Sequence, residues 1–104
     1  MKNITANDIN QLIQSEKVIL VFHGNGCINC KIMQPIIDSL ENTFPNIRFY
    51  RINVDLYPHL IQTYKITSLP TLLPFRHGQI LPAIIGIKTV QILKKTIEQT
   101  LNYA

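Results

Sequence analysis

The sequence has no tryptophan, only two cysteines and only six acidic residues among its 104 positions. A structural zinc site normally needs four ligands, and the three histidines show no paired ligand spacing, so we expect no bound metal. No apolar segment approaches the ~20 residues of a membrane span. Residues 1–8 lack the apolar core of an export signal, so we expect a cytoplasmic protein that does not bind membranes.

The positive charge is moderate and evenly spread along the chain. Ten lysines and arginines against six acidic residues give a net charge of +4, but no basic run exceeds two residues. A nucleic-acid-binding surface usually shows a basic stripe or a known motif, so we expect no nucleic acid partner. A hydrophobic content of 46% with a charged content of 15% is typical of a compact chain, and we predict a single domain over residues 1–104.

The two cysteines, Cys27 and Cys30, lie where a buried apolar run over residues 18–22 gives way to an amphipathic, helix-like pattern. Backbone N–H groups and the partial positive charge of a helix N-terminus favour a thiolate over a thiol. Residues i and i+3 of a first helical turn face the same way, which allows a disulfide. A purely structural disulfide would constrain so short a loop very little. We therefore interpret the pair as redox-active, with one thiol attacking and the other resolving the mixed disulfide.

The rest of the chain alternates between strand and helix patterns. We predict strands over residues 2–5, 18–22, 47–54, 71–75 and 79–85. A capping box at Thr5 opens the first helix, Cys27 or the next residue opens the second, Pro58 opens the third, and Thr89 caps the last. Helices between parallel strands, followed by an antiparallel hairpin, predict an α/β fold with a mixed sheet of four or five strands and helices on both faces.

Apolar spacing predicts which side of each long helix is buried. In the second helix the expected stripe is Ile28, Ile32, Ile36, Ile37, Leu40 and Phe44, with a kink at Pro35. In the last helix it is Val90, Leu93, Ile97 and Leu101. Pro74 falls inside a predicted strand, which indicates a bulge or an edge strand at that point.

The chain resembles the thioredoxin family over nearly its whole length. The resemblance rests on the C-x-x-C pair together with a set of residues in register with it: Lys31, Pro35, Asp55, Pro58, Tyr64, Ile66, Pro70, Thr71, Gly78 and Gly86. It implies the thioredoxin fold and a protein-disulfide reductase. It also implies protein disulfides as substrates, regeneration by an NADPH-dependent flavoprotein reductase, a monomer, and no bound cofactor beyond the redox-active Cys27–Cys30 pair.

The resemblance also assigns site residues. Cys27 would be the exposed nucleophile, Cys30 the buried resolving thiol, and Pro70 a cis-proline facing them, with the Leu69 backbone pairing with an extended substrate. The shallow apolar rim that receives the substrate would consist of Gly26, Ile28, Leu69, Ile85 and Gly86.

Three departures from the family pattern alter these expectations. Gly26 replaces the usual tryptophan before the first cysteine, and Ile28-Asn29 replaces the usual Gly-Pro between the cysteines. Val21 replaces a buried aspartate that is thought to take the proton from the resolving thiol. We expect His23 to carry protons instead, because a histidine near neutral pKa can do so. Arg51, which lacks that acidic partner, is expected to extend toward the sheet edge.

Two other functions stay open on the sequence. The chain could be a binding module that holds a dedicated partner with little redox turnover, or a disulfide oxidant or isomerase of higher potential. Reductase and oxidant differ in the potential of the cysteine pair, and the dipeptide between the cysteines helps to set that value.

Overall fold

A computed structural model describes residues 1–102, so the predicted domain boundary at residue 104 lies outside the described residues. The strands are β1 (Lys2–Asn3), β2 (Val18–His23), β3 (Arg48–Asn53), β4 (Thr71–Arg76), β5 (Gln79–Ile80) and β6 (Ile84–Ile85). The helices are α1 (Ile9–Leu12), preceded by a 3-10 turn over Ala6–Asp8, α2 (Ile28–Thr43), α3 (His59–Thr63) and α4 (Val90–Leu101). Among residues 1–102, no helix is both long and apolar enough to cross a membrane.

The strands form one mixed sheet in the order β1-β3-β2-β4-β5, with β6 also pairing with β4. β2 lies at its centre, parallel to β3 and antiparallel to β4. The α/β class with a mixed sheet is confirmed, but the predicted number of strands was wrong, because the described residues contribute six. The single strand expected over residues 79–85 is divided into β5 and β6, and Pro82 stands in the interruption.

Helices cover both faces of the sheet, as predicted. On one face the apolar side of α2, with Met33 and Ile37, packs in the same cluster as Leu93 and Ile97 of α4. On the other face α1 and α3 contribute to a second cluster, which includes Leu60. The predicted cap of α4 is confirmed, since the Thr89 hydroxyl accepts a hydrogen bond from the Ile92 N–H at 3.2 Å. The predicted capping box at Thr5 is present as well.

The buried stripe predicted for α2 was wrong at its N-terminal end. Ile28 is 71% exposed and Ile32 is 52% exposed, whereas Cys30 and Met33 are the buried residues of these turns. At 3.6 residues per turn, Ile28 and Ile32 fall on a different side of α2 from the buried Met33, Ile37 and Leu40. Ile28 and Ile32 therefore form an apolar surface directly after Cys27.

β4 is not an edge strand, because it pairs with β2 on one side and with β5 and β6 on the other. The irregularity predicted at Pro74 is present, however, since β5 pairs with Phe75 and Arg76, β6 pairs with Thr71 and Leu72, and the ladder on that side is interrupted at Pro74. The Pro74 carbonyl accepts a hydrogen bond from the Leu81 N–H at 2.9 Å, so this side of Pro74 faces the interruption between β5 and β6. A proline is tolerated there because no regular ladder bond is required of its missing N–H.

Candidate active site

The two cysteines lie at the junction between β2 and α2. Cys27 is the N-cap of α2 and has extended backbone angles, and its Sγ accepts a hydrogen bond from the Cys30 N–H at 3.1 Å. The two residues form a disulfide with a Cα–Cα distance of 5.3 Å. Because the unpaired N–H groups of the first turn point at Cys27, a thiolate on this sulfur is stabilised when the disulfide is reduced.

The two sulfurs differ in their access to solvent. Cys27 is half-buried, whereas Cys30 is only 7% exposed. Gly26, which precedes the pair, has a φ of +68°, and a Cβ placed there would meet no atom within 4 Å. The left-handed backbone favours glycine at this position, and the open space beside it leaves one side of Cys27 uncovered.

The residues predicted to receive the substrate fall on adjacent segments. The Leu69–Pro70 peptide bond is cis. The Pro70 carbonyl accepts a hydrogen bond from the Gly86 N–H at 2.9 Å, and Thr71 pairs with Ile85 between β4 and β6. Segments 69–70 and 85–86 therefore lie side by side. Leu69 also packs on the loop before the cysteines, since a Cβ built on Gly24 would lie 3.0 Å from Leu69 Cδ1.

A polar network, which the sequence reasoning did not identify, holds the loop before Cys27. The Asp55 carboxylate accepts a hydrogen bond from the Asn25 N–H. The Asn53 side chain donates to Asn25 Oδ1 at 2.8 Å and accepts from the Asp55 N–H at 2.9 Å. The signal that could have found it is positional, because β2 and β3 are parallel and the polar residues that follow them meet at the same end of the sheet.

A cleft of about 320 Å³ lies behind the cysteine pair. It is lined by His23, Gly24, Asn25, Gly26, Cys27, Cys30, Lys31, Gln34 and Arg51. Within the described residues, two buried atoms on its lining side chains, His23 Nε2 and Arg51 Nε, have no hydrogen-bond partner. His23 therefore shares a cleft with both cysteines, as its predicted role requires.

The electrostatic environment of His23 favours the neutral imidazole. Burial lowers the pKa of His23, the neighbouring Arg51 guanidinium lowers it further, and the Asp55 carboxylate opposes both effects. The expectation that Arg51 extends to a sheet edge was wrong, because β3 lies between β1 and β2. The Arg51 side chain instead lines the cleft beneath the cysteines.

No candidate metal site is present among the described residues. Residues 1–102 contain no group of three or more histidine, cysteine or acidic side chains arranged to hold a metal ion.

Comparisons with known proteins agree on one family. The family model described as Thioredoxin matches residues 1–99. A thioredoxin of Chlamydia caviae is 28% identical over 99 residues, covering 95% of this chain and 97% of the relative. The oxidised mitochondrial thioredoxin 3 of Saccharomyces cerevisiae superimposes with a TM-score of 0.86 at 29% identity, covering 95% of this chain and 94% of the other. A Plasmodium falciparum thioredoxin superimposes with a TM-score of 0.87 at 26% identity, and both chains are covered completely, at 100%.

Proposed function

Because the chain belongs to the thioredoxin family and is a thiol–disulfide oxidoreductase of the protein-disulfide reductase type, we propose that it reduces cytoplasmic protein disulfides with Cys27 as nucleophile and Cys30 as resolving thiol. The observation that carries this assignment is the difference between the two sulfurs. Cys27 is partly exposed and receives an N–H hydrogen bond, whereas Cys30 is buried behind it.

The reaction proceeds through two exchanges. The Cys27 thiolate attacks one sulfur of the substrate disulfide, the substrate S–S bond breaks, and the released substrate thiolate takes up a proton. The Cys30 thiolate then attacks the Cys27 sulfur and releases the second substrate sulfur, which is also protonated. Overall the dithiol loses two electrons and two protons, and the substrate disulfide gains both.

Binding of an extended substrate segment beside Cys27 follows from the arrangement of the rim. In this proposal the backbone of Leu69, which precedes the cis peptide bond to Pro70, pairs with the substrate. Gly26, Ile28, Ile85 and Gly86 complete the rim. The exposed Ile28 side chain supplies apolar contact area on the helix side, where Gly26 supplies none.

His23 is proposed as the proton carrier for the Cys30 thiol. It lines the same cleft as Cys30, and its lowered pKa keeps the imidazole neutral and able to accept a proton near pH 7. The buried Val21 on the same strand has no titratable group that could take this part.

The wider setting is proposed from the family. The dithiol is regenerated by an NADPH-dependent flavoprotein reductase, and the protein acts as a cytoplasmic monomer that binds neither nucleic acid nor membranes. One single domain over the whole chain is consistent with the continuous sheet of residues 1–102.

Reduction of insulin by dithiothreitol, followed by turbidity, tests the proposed function. We expect the wild-type protein to accelerate the reaction and Cys27→Ser to be inactive. Reduced Cys30→Ser, mixed with insulin after dithiothreitol has been removed, should form a mixed disulfide that persists, because the resolving thiol is absent. A wild-type protein that forms its disulfide yet does not accelerate insulin reduction would overturn the proposal. That outcome would favour the binding module instead.

A further inference from the structure

Arg51 carries a positive charge in the layer of side chains beneath the cysteine pair. Alternation along β2 places Val21 and His23 on the same face, and Val21 belongs to the cluster that packs against α2. Arg51 is the register partner of Val21 on β3, and Phe49, two residues before Arg51, belongs to that cluster too. Arg51 and His23 are therefore diagonal neighbours on the sheet face that α2 covers.

No acidic side chain among the described residues lines the cleft that these side chains share with the cysteines. Lys31 of α2 adds a second formal positive charge to the lining. The nearest acidic influence is Asp55, which acts on His23 from the loop after β3 and is engaged by the Asn25 N–H. Arg51 Nε is buried and has no hydrogen-bond partner within residues 1–102.

We infer that Arg51 stabilises the thiolate form of the reduced Cys27–Cys30 pair and so makes the pair more oxidising than an uncharged residue at position 51 would. A cation interacts favourably with a thiolate but has no comparable interaction with a neutral disulfide. Stabilising the reduced form of a cysteine pair raises its reduction potential. The inference rests on the proposed function and adds a substrate class to it.

The substrate class follows from the potential. A more oxidising dithiol is a weaker reductant, so it transfers electrons efficiently only to disulfides of comparatively high potential. Those are the strained or exposed disulfides of regulatory and catalytic sites, whereas structural disulfides have low potentials and resist reduction. Arg51 is thus a positioning residue that acts through the cysteines, and it directs the enzyme toward labile disulfides.

The test is the equilibrium between the protein disulfide and a graded series of reduced and oxidised glutathione. For Arg51→Gln we expect the equilibrium to shift about tenfold toward the oxidised protein, which corresponds to about 30 mV for this two-electron couple. Arg48→Gln is the matched control, because Arg48 lies on the same strand but is exposed and pairs with Val18 at its far end. We expect the equilibrium constant of Arg48→Gln to stay within twofold of the wild-type value. That of Arg51→Lys, which keeps the positive charge, should stay within threefold.

The thiolate absorbance of the reduced protein near 240 nm provides a second readout. Its titration midpoint should rise in Arg51→Gln and stay unchanged in Arg48→Gln. If Arg51→Gln does not fold, Arg51→Met keeps an unbranched apolar stem of similar reach and replaces it. Val21→Asp and Val21→Asn place side chains of the same shape beside Arg51, and only the first adds a negative charge. Relative to Val21→Asn, Val21→Asp should shift the equilibrium toward the oxidised protein, as Arg51→Gln does.

Equal shifts in Arg51→Gln and Arg48→Gln, or a shift toward the reduced protein, would overturn the inference. The comparison requires only that the disulfide forms, so it is independent of insulin turnover. A wild-type protein inactive on insulin would refute the proposed function while the two arginine variants still report on the potential.

Discussion

Replacing Asp55 by asparagine tests whether residues after β3 hold the loop that presents Cys27. The Asp55 carboxylate accepts the Asn25 N–H, and Asn25 in turn accepts a hydrogen bond from the Asn53 side chain at 2.8 Å. Asparagine keeps the shape and one acceptor oxygen, so the substitution removes mainly the charge.

The expected loss of stability can be worked from this contact. A hydrogen bond to a charged group contributes ~1.5–3 kcal/mol, and because Asp55 is exposed we take a value below that range, about 1 kcal/mol. For a domain of this size, 1 kcal/mol corresponds to a fall of about 4–8 °C in Tm. Asp38→Asn is the matched control, since the Asp38 carboxylate accepts a hydrogen bond from Gln34 Nε2 at 2.6 Å within exposed α2. An i,i+4 pair of that kind contributes only ~0.2–0.5 kcal/mol.

Thermal unfolding of the oxidised protein, followed by circular dichroism at pH 7, measures both variants. Asp55→Asn should lower Tm by at least twice as much as Asp38→Asn, and it should also raise the KM for insulin because the loop before Cys27 loosens. Equal Tm shifts in the two variants would refute the reasoning, since they would show that the Asp55 contact is no stronger than an ordinary surface pair.

Two further predictions concern His23 and Gly24. Burial and Arg51 lower the pKa of His23 in the folded protein, so the folded state favours the neutral imidazole. The contribution of neutral His23 to the free energy of unfolding is therefore complete above the unfolded pKa of ~6.5. That contribution is lost as pH falls through the lower pKa of the folded state. His23→Gln should therefore flatten the fall in stability below pH ~6.5, and His23→Ala should lower insulin reduction near neutral pH. An unchanged pH–rate profile in His23→Ala would refute the proton-carrier role. Gly24→Ala places a Cβ 3.0 Å from Leu69 Cδ1 and 3.1 Å from Asp55 Oδ2, so it should displace both side chains beside the loop before Cys27 and raise KM more than it lowers kcat. Gly78→Ala is the control: with a φ of +82° it should lower stability, but it lies in the hairpin between β4 and β5 and should leave KM unchanged.

Local patterns in the sequence predicted the parts of the fold that depend on local physics. The spacing of Leu93, Ile97 and Leu101 identified the buried side of α4, and all three are buried there. The same reasoning failed for Ile28 and Ile32, because α2 carries isoleucines on more than one side and these two lie away from the side of the buried Met33, Ile37 and Leu40. The apolar pattern predicts one continuous strand over residues 79–85, but the structure has two strands. Pro82 stands between them.

Parts of the site depend on contacts between distant positions, and these were harder to predict. Asn25 and Asn53 are separated by 28 residues, and neither belongs to the residues that carry the family resemblance. The sequence shows that Arg51 lacks an acidic partner on the neighbouring strand, but it does not show where the Arg51 side chain lies. Alternation along β3 directs that side chain to the face that α2 covers, and the position of β3 between β1 and β2 places it away from an edge.

The short outer strands protect the folded protein against fibril growth. Within residues 1–102, β1 offers two residues at one edge of the sheet, and β5 and β6 offer two each at the other, with the interruption opposite Pro74 between them. A second molecule could form only a two-residue ladder on any of them, which is too short to template an added strand. The long apolar strands β2 and β4 are enclosed and become available only on unfolding. Fibril formation should therefore follow the unfolded fraction rather than the concentration of folded protein.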